Sequence, residues 1–186
     1  MKHIIRSIAF FTCMWLLASS CTERHKIKKA LVEFTKSEIV IPSDLECINN
    51  RQITKINIDT LKSLKFIVYY DSLECSSCRI SHLVDIYPLY DMADTCNFSV
   101  ITVFSPKLSE VSDVQNQLRI ANHPIPIYVD VYGTFRQLNN NIPSDGRFHY
   151  FLTDKDGVPK YVGNPLLNRK LEDLFVYNLE TLINKN

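Results

Sequence analysis

Runs of apolar residues separated by short polar stretches predict a chain of strands and helices in alternation. Two runs rich in β-branched and aromatic residues, Phe66–Tyr70 and Phe98–Phe104, predict buried strands. The sequence Asp154–Gly157 predicts a hairpin turn near the end of the chain. Shorter or alternating patterns predict further strands at Glu38–Pro42, Thr54–Asp59, Ile125–Val131, Phe148–Thr153 and Pro159–Val162.

Helical spacing of apolar residues lies between several of these strands. One helix is expected from just after Cys78 to about Ala93, and Pro88 should kink or break it because proline removes a backbone donor. Two others are expected at about 109–121 and 133–138. These elements predict an α/β domain with a central mixed sheet flanked by helices. A closing amphipathic helix is indicated by Leu171, Leu174, Phe175, Asn178, Leu179 and Leu182.

The first twenty residues have the pattern of a secretory signal peptide. Lys2 and Arg6 form a basic start, and the apolar run Ile8–Ala18 is too short for a comfortable membrane span. The sequence Leu-Ala-Ser-Ser-Cys, which ends at Cys21, resembles a bacterial lipobox, in which the cysteine is lipidated and becomes the new N-terminus. This resemblance implies an anchor at Cys21 in a membrane of the bacterial cell envelope, facing the periplasm. The alternative is a plain exported protein that is cleaved after Ser20.

Charge and composition then set the expected organisation of the chain. The formal net charge is +1, and without the first twenty residues it becomes about −1, with 21 − 2 = 19 basic against 20 acidic residues, so a nucleic-acid partner has no electrostatic support. Residues 22–36 are polar and basic, which predicts a solvated tether; alternatively, its cations contact anionic headgroups beside the anchor. We therefore expect a signal peptide at 1–20, a lipidated N-terminus and tether at 21–36, and one folded domain at 37–186.

The candidate chemistry lies in Cys75-Ser76-Ser77-Cys78, between a predicted strand and a predicted helix. Amides at the start of a helix stabilise a thiolate, and the thiolate is the nucleophile in disulfide exchange. Cys75 is expected to be the exposed nucleophile, and Cys78 the resolving thiol, buried in the first turn of the helix. Export implies an oxidising compartment, in which a disulfide persists. An inert structural disulfide is the alternative.

By these features the chain resembles the thioredoxin-like superfamily, and in particular its exported, membrane-tethered thiol-disulfide oxidoreductases. The resemblance is carried by Phe66–Tyr87, which includes the two cysteines, and by Phe148–Gly163, which resembles the strand-turn-strand of that family. It implies a thioredoxin-like fold over roughly residues 38–186 and exchange with disulfides or thiols of client proteins. It also implies a membrane-bound redox partner that regenerates the dithiol, and no cofactor or metal.

Two residues depart from that family's pattern. Phe148 stands where the family has a cis-proline packed against the dithiol, and Glu74 stands where it often has an aromatic residue. A carboxylate beside Cys75 disfavours the thiolate, whereas Arg79 and the helix N-terminus favour it. These departures support an alternative function, a redox-inactive binding or scaffold lipoprotein on the same fold. A peroxide reductase is a weaker alternative, because the chain lacks the Thr/Pro-x-x-x-Cys pattern before Cys75.

The remaining cysteines and histidines leave several interpretations open. Cys47 and Cys96 either form a disulfide or stay as buried free thiols. A zinc site would need ligands from these two residues or from His82 or His149, since a single Cys-x-x-Cys is half of a structural site. His82 is expected to be a half-exposed helix residue, and His149 approaches the dithiol only if the thioredoxin-like fold is correct.

Overall fold

The structure, a computed structural model, describes residues 24–184. Seven strands form one mixed sheet: β1 (Glu46–Asn49), β2 (Gln52–Lys55), β3 (Lys65–Tyr70), β4 (Ser99–Phe104), β5 (Ile127–Val129), β6 (Tyr150–Thr153) and β7 (Pro159–Val162). Their order across the sheet is β2-β1-β5-β4-β3-β6-β7. Strands β3, β4 and β5 are parallel to one another, whereas every other pairing in the sheet is antiparallel.

Six helices accompany the sheet within residues 24–184. They are α1 (24–34), α2 (Ser76–Ser81), α3 (Tyr87–Cys96), α4 (Val111–Ala121), α5 (Thr134–Leu138) and α6 (Arg169–Ile183). Single 3-10 turns lie at Ile58–Thr60, Leu83–Ile86, Leu108–Glu110 and Gly146–Phe148. None of the helices in this part of the chain has the length and apolar character needed to cross a bilayer. The succession of a strand, the dithiol helix, strand, helix, strand, hairpin and closing helix confirms the predicted α/β thioredoxin-like fold.

Strand β3 lies inside the sheet, between β4 and β6, and is buried on both faces. Phe66, Val68 and Tyr70 point to one side, into a core shared with α2, α3, α4 and α6. The alternate residues Ile67 and Tyr69 point to the other side, into a second core. Because successive side chains of a strand face opposite ways, an uninterrupted apolar run is what a strand covered on both faces requires.

The predicted break at Pro88 is confirmed. The chain after Cys78 forms α2, then the 3-10 turn Leu83–Ile86, and then α3 with Pro88 in its first turn. Proline is tolerated in the first helical turn, where the backbone N–H has no helical acceptor to lose. The interruption lets Leu83 and Ile86 both enter the core while α3 takes its own direction.

The first two predicted strands are wrong in position. Residues 38–42 form no strand; instead the N–H of Ile39 donates to the Gly157 carbonyl (2.9 Å), and the amide side chain of Asn139 bonds both backbone groups of Val40. A side chain and a turn thus satisfy the backbone groups that a neighbouring strand would otherwise bond. The first strand is β1, which contains Cys47, and β2 ends at Lys55, before the buried Ile56.

The folded domain also begins earlier than residue 37. Helix α1 lies in the segment predicted to be a solvated tether, and its last residue, Phe34, is fully buried. The Phe34 ring packs edge-on against Phe151 of β6, with ring centroids 5.0 Å apart. The polar and basic composition of this segment conceals a single aromatic anchor. The predicted signal peptide and Cys21 lie outside the described residues.

The packing of α1 is testable by truncating its anchor. Phe34→Ala should lower the free energy of unfolding of the purified protein by about 3–5 kcal/mol, because it leaves a cavity in a closed core. Val32→Ala, on the exposed side of the same helix, should change it by less than about 0.5 kcal/mol. Urea unfolding followed by circular dichroism measures both values, and equal stabilities for the two variants would contradict a docked α1.

Candidate functional site

Cys75 and Cys78 form a disulfide just beyond the carboxyl end of β3. The connection is a tight turn in which the Asp71 carboxylate accepts a hydrogen bond from the N–H of Leu73 (2.8 Å). Cys75 then caps α2, since its sulfur accepts a hydrogen bond from the N–H of Cys78 at 3.3 Å. In the reduced protein the same amide would stabilise a negative charge on the Cys75 sulfur.

Both cysteines are exposed, so the prediction that Cys78 is buried is wrong. Helix α2 is only six residues long, and Ile80 is its one buried residue. Helix α2 therefore contacts the core through Ile80, two residues after Cys78, and Cys78 stays at the surface with Cys75.

Glu74, the residue before the first cysteine, has its charge balanced by two partners. One carboxylate oxygen lies 2.5 Å from Nε of Arg79, and the other lies 3.1 Å from Nδ1 of His149. Partial burial would raise the pKa of Glu74, but the hydrogen bond from His149 and the charge of Arg79 outweigh it and lower the pKa. Glu74 is thus ionised at neutral pH, and its opposition to the thiolate is offset by neighbouring cations.

His149 approaches the dithiol loop, as the thioredoxin-like fold predicts. Because β6 runs antiparallel to β3, its beginning lies beside the end of β3, and the N–H of Tyr69 donates to the His149 carbonyl at 2.9 Å. The His149 side chain is 2% exposed, with Nε2 2.9 Å from the carbonyl oxygen of Pro143. A carbonyl oxygen can only accept, so Nε2 carries a hydrogen.

The balance of forces on His149 favours the imidazolium. Burial alone would lower its pKa, but the hydrogen bonds to Glu74 and to the Pro143 carbonyl, together with the negative charges of Asp71 and Glu74, raise it above the ordinary value. A cation held in this way is a buried ion pair with both ring nitrogens satisfied.

Phe148 lies just before β6, at the end of the turn Gly146–Phe148, and is half-buried. The guanidinium carbon of Arg147 lies 5.8 Å from the centre of its ring. All peptide bonds within residues 24–184 are trans, so Phe148 does not reproduce the geometry of the proline it replaces in the family's pattern.

A tyrosine pair beneath the dithiol loop was not predicted from the sequence. The hydroxyls of Tyr70 and Tyr150 lie 3.3 Å apart, and the guanidinium of Arg79 lies 5.6 Å from the centre of the Tyr70 ring. Burial raises the pKa of both phenols, so both stay protonated at neutral pH. The only signal in the sequence is Tyr70 as the last residue of the strand before the cysteines, and pairing it with Tyr150 requires the β3–β6 register.

A second polar cluster connects the neighbouring strand ends to the dithiol loop. The buried Asp130, after β5, accepts hydrogen bonds from the Ser105 hydroxyl (2.7 Å) and from the N–H groups of Phe135 and Arg136. Asp130 thereby holds the start of α5 against the sheet. The Arg136 guanidinium in turn donates to the Ser72 hydroxyl at 2.7 Å, which braces the turn before Cys75.

A surface groove of about 430 Å³ runs past Cys75. The dithiol loop, residues 72–77, forms one wall, and residues from Lys107 to Gln117 form the other. Leu73 on its rim is 79% exposed. Cys75 is one of the residues that line this groove.

The other candidate residues lie outside this arrangement. Cys47 and Cys96 are half-buried free thiols, so they do not pair with each other. His82 is exposed, and its Nδ1 lies 3.4 Å from the Asp85 carboxylate. Within residues 24–184 no three His, Cys, Asp or Glu side chains are grouped so that they could hold a metal ion, so the zinc interpretation lacks its further ligands there.

The ion pair predicts a specific pH dependence. Since the folded-state pKa of His149 is raised, its stabilising effect is complete below the ordinary value of about 6.5 and is lost as the pH rises through the folded value. Since the folded-state pKa of Glu74 is lowered, its effect is present above about 4.3 and is lost below that.

Histidine NMR titration and urea unfolding across this range measure both effects. Glu74→Gln should lower the His149 midpoint and flatten the decline of stability above pH 6.5. Glu110→Gln, in the opposite wall of the groove, is the control and should change neither. A His149 midpoint that is the same in wild type and in Glu74→Gln would show that the pair does not form.

Comparison with known proteins finds similarity in structure alone. No protein-family model matches the chain, and no curated protein matches its sequence. The solution structure of an uncharacterized thioredoxin-like protein from Porphyromonas gingivalis is 12% identical, with a TM-score of 0.44, over 81% of this chain and 96% of the other. Mycobacterium bovis AhpC is 15% identical, with a TM-score of 0.46, over 76% and 95%. The reduced 2-Cys peroxiredoxin of Plasmodium vivax is 14% identical, with a TM-score of 0.43, over 72% and 75%.

Similarities this distant transfer no activity to the chain. The strand order and the Cys75–Cys78 disulfide belong to the chain itself. A thioredoxin-like fold that presents an exposed Cys-x-x-Cys disulfide supports a redox function.

Proposed function

We propose that the chain is a lipid-anchored thiol-disulfide oxidoreductase that acts on disulfides of client proteins in the bacterial cell envelope. The observation that carries this proposal is the disulfide between Cys75 and Cys78, which is exposed beyond the carboxyl end of β3. The N–H of Cys78 donates a hydrogen bond to the Cys75 sulfur. A disulfide that only stabilises a fold is better protected when it is buried, whereas one that exchanges must be reached by another sulfur.

The reaction begins from the reduced protein. The Cys75 thiolate attacks one sulfur of a client disulfide, which forms a mixed disulfide and releases the other client sulfur as a thiolate. The Cys78 thiolate then attacks the Cys75 sulfur, so that the Cys75–Cys78 disulfide forms and the second client thiolate leaves. Two electrons pass from the dithiol to the client, and the two client thiolates take up protons. A membrane-bound dithiol donor has to return two electrons to the oxidised protein.

The groove beside Cys75 is the proposed place for the client segment. Its walls combine hydroxyl, amide and charged groups with the exposed Leu73, a mixture suited to backbone and side chains of an extended chain. A site that bound one small ligand would be more enclosed and more apolar. We therefore assign the client as a polypeptide that presents its disulfide on an exposed loop.

Insulin reduction tests the activity. The purified protein with dithiothreitol should accelerate precipitation of the insulin B chain, whereas Cys75→Ser should fall to the background rate. Cys96→Ser, which removes a half-buried free thiol elsewhere, should retain the wild-type rate. Equal background rates for the wild type and Cys75→Ser would refute the proposed activity.

The second candidate is a redox-inactive scaffold on the same fold, and Phe148 is the observation that favours it. Without a proline at this position, the trans segment before β6 lacks a feature that the resembled family uses to shape its substrate groove. Cys78→Ser expressed in the native envelope separates the two functions. An oxidoreductase accumulates mixed disulfides through Cys75 that dissolve on reduction, whereas a scaffold yields none.

The proposed anchor depends on Cys21, outside the described residues. Its support is the sequence before it: a basic start, a short apolar run and small residues next to the cysteine. Two acyl chains on one cysteine would give stable attachment, which a single chain does not.

Metabolic labelling tests the anchor. Cells that express the full chain are grown with radioactive palmitate. The label should be incorporated into the wild type and into Cys13→Ser, but not into Cys21→Ser. The Cys21→Ser protein should also leave the membrane fraction. Label retained by Cys21→Ser, or absent from the wild type, would show that the lipobox interpretation is wrong.

A further inference from the structure

We propose that Glu74 and His149 form a positioning pair, in which the imidazolium offsets the carboxylate that would otherwise disfavour the Cys75 thiolate, and which ties the segment before β6 to the dithiol loop. This inference rests on the proposed redox function and assigns two residues a role in it. Neither residue touches a reacting atom in the structure, so both act through the loop that carries Cys75.

The contacts of Glu74 join three parts of the chain. Arg79 reaches it from α2, and His149 reaches it from the start of β6, 75 residues further along the chain. His149 is itself held through Nε2 to the Pro143 carbonyl (2.9 Å), so the pair fixes both ends of the segment 143–149. This segment passes close over the carboxylate, since a Cβ added at Gly146 would lie 3.6 Å from Oε1 of Glu74.

The position of this pair is informative. In the resembled family a proline ring packs against the dithiol, and here Phe148 stands in its place, followed at once by His149. A buried imidazole bonded to Glu74 therefore holds the segment against the dithiol loop by hydrogen bonds. Glu74, which also departs from the family's pattern, is the partner of this imidazole.

The charges around the imidazole come from every element packed on it. From β3 and the turn after it come the Tyr69 ring, at 5.1 Å, and the carboxylate of Asp71. The dithiol loop contributes Glu74, with Arg79 behind it, and the loop before β6 contributes Asp145, which is itself paired with Arg147. The imidazolium and Arg79 bring two positive charges against the carboxylates of Glu74 and Asp71, while Asp145 and Arg147 offset each other, so these side chains sum to zero charge.

This charge count gives opposite expectations for single and double substitutions. His149→Gln removes a cation and leaves Glu74 and Arg79 to cancel, so the Cys75 thiolate loses stabilisation. Adding Glu74→Gln removes the carboxylate as well and returns the summed charge of these side chains to its wild-type value. The second substitution should therefore reverse the first, whereas in a purely structural contact the second substitution would leave the effect of the first in place.

Thiolate absorbance near 240 nm, followed against pH in the reduced protein, measures the effect directly. Relative to the wild type, His149→Gln should raise the midpoint of Cys75 by about one pH unit, a roughly tenfold loss of thiolate below it. The double variant Glu74→Gln/His149→Gln should return to the wild-type midpoint or below it. Iodoacetamide alkylation rates of Cys75 at pH 6.5 should follow the same order.

His82→Gln is the matched control, since His82 is exposed and follows the same helix. It should leave the midpoint unchanged. Near-ultraviolet circular dichroism establishes that each variant is folded. If His149→Gln does not fold, the Glu74→Gln variant alone decides. A Cys75 midpoint in Glu74→Gln above that of the wild type overturns the proposal. A midpoint equal to or lower than that of the wild type supports it. Where both fold, an unchanged midpoint in His149→Gln, or a double variant whose midpoint does not fall below that of His149→Gln, overturns it.

These measurements use no client, so they are separate from the test of activity. If the double variant reverses the shift of the Cys75 midpoint but the wild type reduces no insulin, the positioning pair is supported and the proposed function is refuted. If the wild type reduces insulin but His149→Gln leaves the Cys75 midpoint unchanged, the proposed function is supported and the positioning pair is refuted.

Discussion

The burial of β3 on both faces is the constraint on which the site depends. Its neighbours are β4, parallel to it, and β6, antiparallel to it, so both of its edges are paired as well. A strand enclosed in this way is open only at its two ends, and the two cysteines lie just beyond the carboxyl end. The directions of the neighbouring strands then select what surrounds the dithiol: the last residues of β4 and the residues that precede β6. Ser105 and His149 lie where they do for this reason.

The charged groups near the dithiol are balanced against one another. A buried ion pair gains little net stability, because removing charges from water costs nearly as much as their attraction returns. His149 is buried and Glu74 partly buried, and they have four polar contacts between them: Arg79, each other, the Pro143 carbonyl and the backbone bond to Tyr69. These polar contacts are better explained by a role in setting the electrostatic potential at the dithiol than by a role in stability.

The fold could be predicted from the sequence wherever the signal was local. The apolar run of β3, the Asp154–Gly157 turn and the break at Pro88 each depend on neighbours in the chain, and each was located correctly. The strand expected at 38–42 failed because Asn139, a distant side chain, bonds the backbone of Val40. Phe34 was missed because one buried ring in a polar helix leaves no periodic pattern.

The candidate site divides in the same way. Cys75 and Cys78 were found from their spacing and from the strand before them, but the exposure of Cys78 depends on how α2 meets the core. The contact between Glu74 and His149 joins residues 75 positions apart, and only the antiparallel register of β3 and β6 brings them together. Sequence spacing indicates which residues can perform chemistry; the sheet decides which of them meet.

The docking of α1 has a consequence for where the protein works. Under the proposed lipidation of Cys21, the chain from that cysteine to Arg24 reaches at most about 11 Å when fully extended. Helix α1 then adds about 16 Å, but it is fixed to the body of the domain by Phe34 and supplies no slack. With that lipidation the domain would be held close to the bilayer, and the exposed basic side chains of α1 would lie near the headgroups. Its encounters with other membrane-bound proteins would then be confined to a thin layer along the bilayer surface, which raises their effective concentration.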